Sequence, residues 1–355
     1  MTDSPDMLDS RVTAGRAVPR RRKASTWSSL AVFLPAALGV VAFYRPTTPL
    51  HASRVDRGIL ATTFISASAS PNAFGRSGEV KVRFAMPGAP VEYPIEVGID
   101  PSGLSYEWVR VSNDDTDRTA VDTARDLTSD LVAPSRPGFY RLALLRGTDR
   151  RVLSDITVAV LVPFTEKLGS TLNGYRIGTY LAERVGATDR DRPLGFVQID
   201  ADQMDLQITK HLRLADFISR DGHETWPRYA ALDVRLLDKL ELVFAEVANL
   251  RGSLVPDEHL GVSVNSGFRT PLYNRKVRRS AKDSRHQYGD AADIAIDANA
   301  DGRMTSADTR VVAKAVDKVE AAHPDLVGGL GLYTSGRTSP YVHIDTRGRK
   351  ARWRG

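Results

Sequence analysis

The segment SRHQYGDAADIAIDANADGRMTSAD, residues 284–308, is the feature that most constrains how this chain can fold. Its apolar centre, residues 293–296, predicts a short buried strand, and potential metal ligands lie on both sides of it. The chain contains no cysteine, so a bound metal must be held by His, Asp, Glu or backbone oxygen. The fold must therefore bury this strand while leaving its polar flanks free to bind ions.

Length and composition indicate a soluble protein of more than one domain. The chain has 355 residues, of which 42% are hydrophobic and 26% are charged, ordinary values for globular proteins. The net charge is +6, but Lys and Arg concentrate near the two ends, in residues 16–23 and 347–354. This distribution predicts no nucleic-acid partner.

The N-terminal region predicts a membrane segment. An apolar run at residues 30–43 follows the first basic cluster, and Trp27 and Tyr44 flank it. We expect residues 1–26 to be a basic cytoplasmic N-terminus and residues 27–44 to be a transmembrane signal anchor or a signal peptide. The positive residues before the run would place the remainder outside the cytoplasm. The predicted location is the cell envelope, with the chain anchored in the inner membrane and its later domains periplasmic, or secreted if the segment is cleaved.

The rest of the chain divides into a linker and two folded regions. Residues 45–76 are rich in Pro, Ser, Ala and Thr and predict a linker. Short runs of Val, Ile and aromatic residues separated by turn residues predict an immunoglobulin-like β-sandwich at residues 77–165, in which Tyr140 resembles the corner tyrosine of a late strand. Its expected role is that of a spacer or binding module. A connector, residues 166–205, then leads to an α+β region at residues 206–355.

Periodicity predicts the helices and strands of this last region. In residues 231–250 apolar side chains recur at helical spacing, with Asp and Lys on the opposite face, which predicts a core helix. A second helix is predicted at residues 309–323. Strands are expected at the apolar runs near residues 261–270, 293–296, 329–333 and 341–346.

Two histidines and a carboxylate predict a zinc site. His286, Asp293 and His343 are the candidate ligands, and three protein ligands leave a fourth zinc position open for water, as catalytic zinc requires. Spacing alone leaves the alternative open, because an isolated histidine on a strand is often a core or surface residue.

Three blocks of sequence resemble a known family. They are SGFRTPLYN, SRHQYGDAADI and GGLGLYTSGRTSPYVHIDTRGRKARW, and the second meets the pattern S-x-H-x-x-G-x-A-x-D at every position from Ser284 to Asp293. The region from about residue 206 to 353 is thereby similar to the zinc D-alanyl-D-alanine carboxypeptidases and murein endopeptidases, which share the hedgehog-like peptidase fold. The resemblance implies that His286, Asp293 and His343 bind zinc. It also implies that Arg269 faces the substrate carbonyl or carboxylate, although a structural role for this arginine stays open.

The general base is the point where the sequence departs from the family. Many relatives have a carboxylate three residues before the last histidine, where this chain has Pro340. Asp345 lies two residues after His343, hence on the same face of a strand, and is predicted either as the catalytic base or as an acceptor that orients a ligand histidine. Asp290 is a lesser candidate.

The segment DANADGRMTSAD, residues 297–308, predicts a calcium loop. Its first six positions meet D-x-[DN]-x-[DN]-G, with Gly302 at the sharp turn, and the loop resembles those of EF-hand and dockerin modules. A solvated turn is the ordinary alternative. The predicted ligands are Asp297, Asn299, Asp301, the carbonyl of Arg303, Thr305 and Asp308.

Together these features predict an α+β zinc peptidase domain preceded by an all-β immunoglobulin-like sandwich and a membrane segment. The expected activity is zinc-dependent hydrolysis of D-amino-acid-containing peptide bonds in bacterial peptidoglycan, by a carboxypeptidase or a cross-link endopeptidase, with Zn²⁺ and Ca²⁺ as cofactors. The expected partners are the peptide stems of peptidoglycan and, through the N-terminal segment, the membrane. The alternative is a non-catalytic, metal-stabilised protein that binds or tethers the cell wall.

Overall fold

The structure, a computed structural model, describes residues 67–69, 75–93, 95–97, 102–111, 120–127, 130–185, 192–252, 260–334 and 339–355. These residues all belong to one unit, residues 61–355. The predicted N-terminus, membrane segment and most of the linker lie outside the described residues. No helix within the described ranges has the length and apolar character needed to cross a membrane.

The predicted sandwich region forms mainly one sheet. The strands are β1 (Ala67–Ala69), β2 (Val82–Ala85), β3 (Ile95–Val97), β4 (Ser105–Arg110), β5 (Arg125–Asp126), β6 (Gly138–Arg146), β7 (Asp149–Val152) and β8 (Thr157–Val160). Five of them pair in the order β2-β8-β6-β4-β5, with β7 also on β6, and a separate antiparallel pair joins β1 to β3. Strand β8 runs parallel to β2 and antiparallel to β6.

Two buried aromatic side chains of this region donate hydrogen bonds to backbone carbonyls. Trp108 on β4 is buried and donates its indole N–H to the carbonyl of Val132 at 2.8 Å. The hydroxyl of Tyr140 donates to the carbonyl of Arg136, four residues upstream, at 2.8 Å, which is the bond that a corner tyrosine makes. The immunoglobulin-like assignment of residues 77–165 stays a prediction.

The predicted connector contributes to the core. The elements are β9 (Val162–Pro163), the paired β10 (Thr171–Leu172) and β11 (Tyr175–Arg176), α1 (Leu181–Val185), β12 (Gly195–Ile199) and β13 (Arg228–Ala230). In a short sheet of order β13-β12-β9, strand β12 of the connector pairs with β9, which precedes the connector, and with β13, which follows it. Tyr180 is fully buried, and its hydroxyl donates to the carbonyl of Gln287 at 3.1 Å.

The C-terminal elements form a five-stranded sheet covered on one face by two helices. The elements are α2 (Val234–Arg251), β14 (Val262–Ser266), α3 (Pro271–Asn274), β15 (Ala291–Ile296), α4 (Ser306–Ala322), β16 (Gly329–Tyr333), β17 (Tyr341–Asp345) and β18 (Ala351–Arg354). The strands pair in the order β14-β15-β17-β16-β18. Helix α4 packs against β15, β16 and β17, and α2 packs against α4. The predicted helices and strands of this region therefore form at nearly the expected positions.

Helix α2 departs from its predicted amphipathic pattern. Asp238 and Lys239, predicted on the face opposite the apolar one, are buried, and so is Glu241. Asp238 accepts the backbone N–H groups of Arg76 and Ser77, and Glu241 accepts the backbone N–H of His211. The helix is thus buried on more than one side.

Candidate metal centre

Strand register places two of the predicted zinc ligands side by side. Strands β15 and β17 are antiparallel neighbours, and Asp293 is directly paired with His343. Because side chains alternate along a strand, Ile294 and Val342 point to the opposite face, where they join the hydrophobic core. The polar face of the sheet is therefore the face away from α2 and α4.

A tight turn brings the third ligand to the same face. His286 lies in a 3₁₀ turn, Arg285–Tyr288, that ends at Gly289 with φ of 74°. A side chain at Gly289 would be strained by this φ, and its Cβ would lie 2.2 Å from the carbonyl oxygen of Ala231. The glycine of the recognised motif is thus required by the turn that positions the histidine.

The three ligand atoms converge at a buried point. Nδ1 of His343 lies 2.9 Å from Oδ1 of Asp293, and Nε2 of His286 lies 3.2 Å from each of these two atoms. The residues are 1% (His286), 7% (Asp293) and 6% (His343) exposed. Among the residues that the structure describes, this is the group of three or more His, Cys, Asp or Glu side chains that could hold a metal ion.

Hydrogen bonds outside the cluster fix which histidine nitrogen faces it. Nδ1 of His286 lies 2.7 Å from the carbonyl oxygen of Gly267, so this nitrogen carries the proton and Nε2 is left as a ligand. Nε2 of His343 lies 3.0 Å from Oδ2 of Asp345, so Nδ1 is left as a ligand. Two imidazole nitrogens and one carboxylate oxygen, each oriented by an outer partner, are a donor set that suits zinc.

The charges of the cluster are tightly coupled. Burial lowers the pKa of His286 below its usual value. Burial also lowers the pKa of His343, but hydrogen bonds to Asp293 and Asp345 raise it more, so that the net shift is upward. Burial raises the pKa of Asp293, yet the two histidines lower it further and hold the carboxyl ionised. A negative ligand beside two imidazoles is the charge arrangement that a divalent cation would complete.

Arg269, the predicted substrate-facing arginine, lies at the edge of this cluster. Its Nη2 donates to Oδ2 of Asp293, and its Nε donates to the hydroxyl of Ser266 at 2.7 Å. Ser266 is itself paired with Asp293 across β14 and β15. The arginine therefore holds the carboxylate oxygen that does not face the histidines.

Asp345 is placed as a partner of His343. Its Oδ1 accepts the backbone N–H of Gly329 at 2.7 Å, and Nε of Arg347 lies 2.9 Å from both carboxylate oxygens. The side chain is fully buried. Burial raises the pKa of Asp345, but the bonds to His343 and Arg347 lower it more strongly. Of the two predicted roles, this surrounding favours the orientation of His343.

A buried ion pair supports Asp345 from behind. Nζ of Lys239 on α2 donates to the backbone carbonyl of Asp345 and to Oε1 of Glu320 on α4, each at 2.8 Å. Glu320 also accepts the backbone N–H of Gly328 at 3.0 Å and is paired with Arg352. The strand that carries His343 is thereby held to both helices by charged hydrogen bonds.

Aromatic side chains form one wall of the same face. Trp353 lies beside His343, with ring centroids 5.1 Å apart, and its indole N–H donates to the hydroxyl of Tyr333 at 3.0 Å. Tyr333 and Tyr341 stack at 4.6 Å. Gly331 leaves room for the indole, since a Cβ there would lie 2.4 Å from it.

Asp290, the lesser candidate for the general base, is paired with Arg285. Asp290 is buried, and Nε of Arg285 lies 3.0 Å and 2.9 Å from its two oxygens. This arginine engages both oxygens, an arrangement that leaves Asp290 poorly placed as a base.

The predicted calcium loop closes on itself through its polar side chains. Asp297 accepts the backbone N–H of Asp301 at 3.1 Å and of Gly302 at 2.8 Å. Asp308 is 2% exposed and accepts the backbone N–H and the hydroxyl of Thr305, both at 2.7 Å, which caps α4. Of the other predicted ligands, Asn299 donates its side-chain amide to Asp301, and the backbone N–H of Arg303 bonds Asp301. Calcium binding stays a prediction.

Several residues of the centre were not singled out from the sequence. Ser266 and Gly267 belong to the block SGFRTPLYN, but no role was predicted for the Ser266 side chain or the Gly267 carbonyl, and Lys239 lies in none of the three blocks. Trp353 was part of a recognised block, and alternation along β17 puts Tyr341 on the face of His343. Alternation was thus the signal that could have identified Tyr341.

Comparison with known proteins agrees with the geometry. Residues 244–345 match the family model Peptidase M15. The matched range contains Arg269 and the cluster of His286, Asp293 and His343, and it ends at Asp345. A comparison with curated proteins finds no match. The family includes D-alanyl-D-alanine carboxypeptidases and its members depend on zinc, so the match supports a zinc peptidase acting on peptidoglycan at the level of the family.

Proposed function

We propose that this protein is a zinc metallopeptidase that hydrolyses D-amino-acid-containing peptide bonds in the stems or cross-links of bacterial peptidoglycan. The observation that carries the proposal is the convergence of Nε2 of His286, Oδ1 of Asp293 and Nδ1 of His343 within the region that matches Peptidase M15. The three residues would hold Zn²⁺. When bound, zinc supplies a Lewis acid that polarises a carbonyl and lowers the pKa of water to about 7.

The side chains around the cluster divide the remaining tasks. Gly267 and Asp345 keep the two histidines in the tautomers that leave one nitrogen free for the metal. Arg269 is the fixed cation nearest to the carboxylate ligand. In the proposed reaction it stabilises negative charge that develops on the carbonyl oxygen of the scissile bond, or it binds a terminal carboxylate.

The aromatic wall gives the substrate a boundary. Tyr333, Tyr341 and Trp353 cover one side of the polar face next to His343. Aromatic side chains exclude water from one edge of a site and strengthen the electrostatic interactions inside it. We propose that the peptide stem lies against this wall.

Peptidoglycan fragments test the proposal directly. The full-length chain loaded with zinc should release terminal D-Ala or cleave cross-linked dimers, and mass spectrometry of the products separates a carboxypeptidase from an endopeptidase. A chelator and His286→Ala should each abolish cleavage. The competing candidate, a non-catalytic wall-binding protein, predicts that fragments bind without being cut.

The same family match motivates the proposed location. An enzyme acting on peptidoglycan must reach the cell envelope, and the basic cluster and apolar run of residues 16–44 would supply an anchor or an export signal. Fractionation of cells that express the full-length chain, followed by protease treatment of spheroplasts, tests this part: the C-terminal region should be degraded without lysis.

A further inference from the structure

A basic loop lies between Arg269 and the turn that holds His286. Five of the eight residues from 275 to 282 are Lys or Arg. All five side chains are exposed, and none forms an ion pair with an acid that the structure describes. Like charges this close repel one another, so the cluster destabilises the folded protein unless an anion offsets it. The five are Arg275, Lys276, Arg278, Arg279 and Lys282.

The loop is held in one shape by polar side chains beneath it. Asn274 donates its side-chain amide to the carbonyl of Ala281 at 2.9 Å, and Ser280 donates its hydroxyl to the carbonyl of Asn274 at 2.6 Å. Gln287 donates to the carbonyl of Lys282 at 3.1 Å. Asn274 and Gln287 are buried. The basic side chains therefore project from a preformed backbone, which reduces the entropy lost on binding.

The basic residues line one cleft. The cleft has a volume of about 600 Å³ and is bordered by α3, Gln287 and the start of α1. Oδ1 of Asn274 is buried beneath the loop and out of reach of a ligand. The cleft thus offers a ligand its exposed cations, which fit an anionic group.

We infer that this basic cleft binds a linear polymer of phosphodiesters. Arginine presents paired N–H groups that match two phosphate oxygens, and five cations spread along a loop match a repeating charge better than a single small anion. The described residues that line the cleft include no aromatic side chain on which a base could stack. A phosphate polymer without bases therefore fits better than a single-stranded nucleic acid. This site is separate from the metal cluster, and the inference does not depend on the peptidase activity.

Binding to three polymers tests the inference in the full-length protein. Poly(glycerol phosphate), polyglutamate and a single-stranded DNA oligonucleotide provide phosphodiesters without bases, carboxylates and phosphodiesters with bases respectively. The test variant is Arg275→Gln/Arg278→Gln/Arg279→Gln. The matched control, Arg310→Gln/Lys314→Gln/Arg349→Gln, removes three exposed cations elsewhere.

We expect the native protein to bind poly(glycerol phosphate) at least tenfold more tightly than polyglutamate or DNA in low salt. The test variant should lose at least tenfold in affinity and show a weaker salt dependence, while the control variant should change by less than threefold. Neither variant should have a lower melting temperature than the native protein, because the substituted side chains are exposed and the test variant loses like charges that repel one another. An equal loss in the two variants, or preferred binding of DNA or polyglutamate, would overturn the assignment.

Discussion

Nε2 of His343 lies 3.0 Å from Oδ2 of Asp345, on the side of the imidazole opposite the metal cluster. Strand alternation makes this contact possible, since residues two apart on β17 share a face. The carboxylate also bonds Arg347 and the backbone of Gly329, so it is fixed before any ligand arrives. This geometry is the one expected of a metal ligand and its orienting partner.

Asp345→Asn should weaken zinc binding more than it slows zinc-saturated turnover. The side-chain amide of Asn is neutral, so its hydrogen bond to the imidazole of His343 is weaker than that of the carboxylate. Loss of such a partner typically lowers metal affinity by about 10–100-fold. Competitive titration with a chelating dye gives the affinity, and kcat at saturating zinc gives the turnover.

Asp290→Asn is the matched control, because Asp290 is also buried and paired with an arginine but does not contact His343. Asp290→Asn should change zinc affinity by less than about threefold. This change is smaller than the one expected when a residue that orients a metal ligand is replaced. A loss of activity at Asp345→Asn that saturating zinc does not restore would instead identify Asp345 as the catalytic base.

Two Lys–Glu pairs between α2 and α4 should differ sharply in their effect on stability. The Lys239–Glu320 pair is buried at 2.8 Å, whereas the Lys318–Glu246 pair, at 2.7 Å, has a lysine side chain that is 59% exposed. Lys239→Met removes the buried cation from Glu320, which keeps Arg352 and the N–H of Gly328, and it also removes the donor to the carbonyl of Asp345. It should lower the free energy of unfolding by about 1–3 kcal/mol. Lys318→Met should lower it by less than about 1 kcal/mol.

Urea unfolding of the metal-free protein measures both values. Zinc affinity should also fall in Lys239→Met, since Lys239 holds the backbone carbonyl of Asp345. Similar stability losses in the two variants would show that burial does not decide the strength of these pairs.

Zinc affinity should increase with pH across the neutral range. The pKa of His343 is raised above its ordinary value of about 6.5, so a proton on this ring competes with the metal and must leave when zinc binds. In the metal-free protein the sign is opposite: His343 stabilises the fold fully below about pH 6.5 and progressively less as the pH rises through the folded-state pKa.

Calorimetry in buffers of different ionisation enthalpy measures the proton release. Because the pKa of His343 is raised above 6.5, more than half a proton should be released per zinc at pH 6.5, and fewer as the pH rises through this pKa. Proton uptake, or an affinity that is independent of pH between 6 and 8, would contradict the protonation state described for this pair.

Calcium should raise the melting temperature if residues 297–308 bind it. A ligand at 100 times its Kd stabilises a protein by about 2.7 kcal/mol. Asp297→Ala removes the acceptor of two backbone N–H groups in the loop and should abolish the increase. Magnesium at the same concentration is the control for ionic strength. An increase that persists in Asp297→Ala would assign the effect to another site.

The parts of the fold that follow local periodicity could be predicted from the sequence. The helices at Val234–Arg251 and Ser306–Ala322 and the strands around them have regular apolar spacing. The burial of Asp238, Lys239 and Glu241 could not be predicted. Their partners come from residues far away in the chain, and a single sequence does not show which distant segments meet.

The metal site shows the same division. His286, Asp293 and His343 were identified through the family resemblance, and Gly289 belongs to the same motif because the turn requires its positive φ. The carbonyl of Gly267, which fixes the tautomer of His286, is invisible in sequence because every residue has a carbonyl. Backbone groups acquire such roles only through the fold.

Stoichiometric reconstitution is the most direct test of the zinc centre. The metal-free full-length chain is titrated with Zn²⁺, and the rate of peptidoglycan-fragment hydrolysis is measured at each addition. The rate should rise linearly and level off at one zinc per chain, and His343→Ala should show no such rise. Full activity in the metal-free protein, or a rise that His343→Ala retains, would contradict the assignment of His286, Asp293 and His343 as the catalytic zinc site.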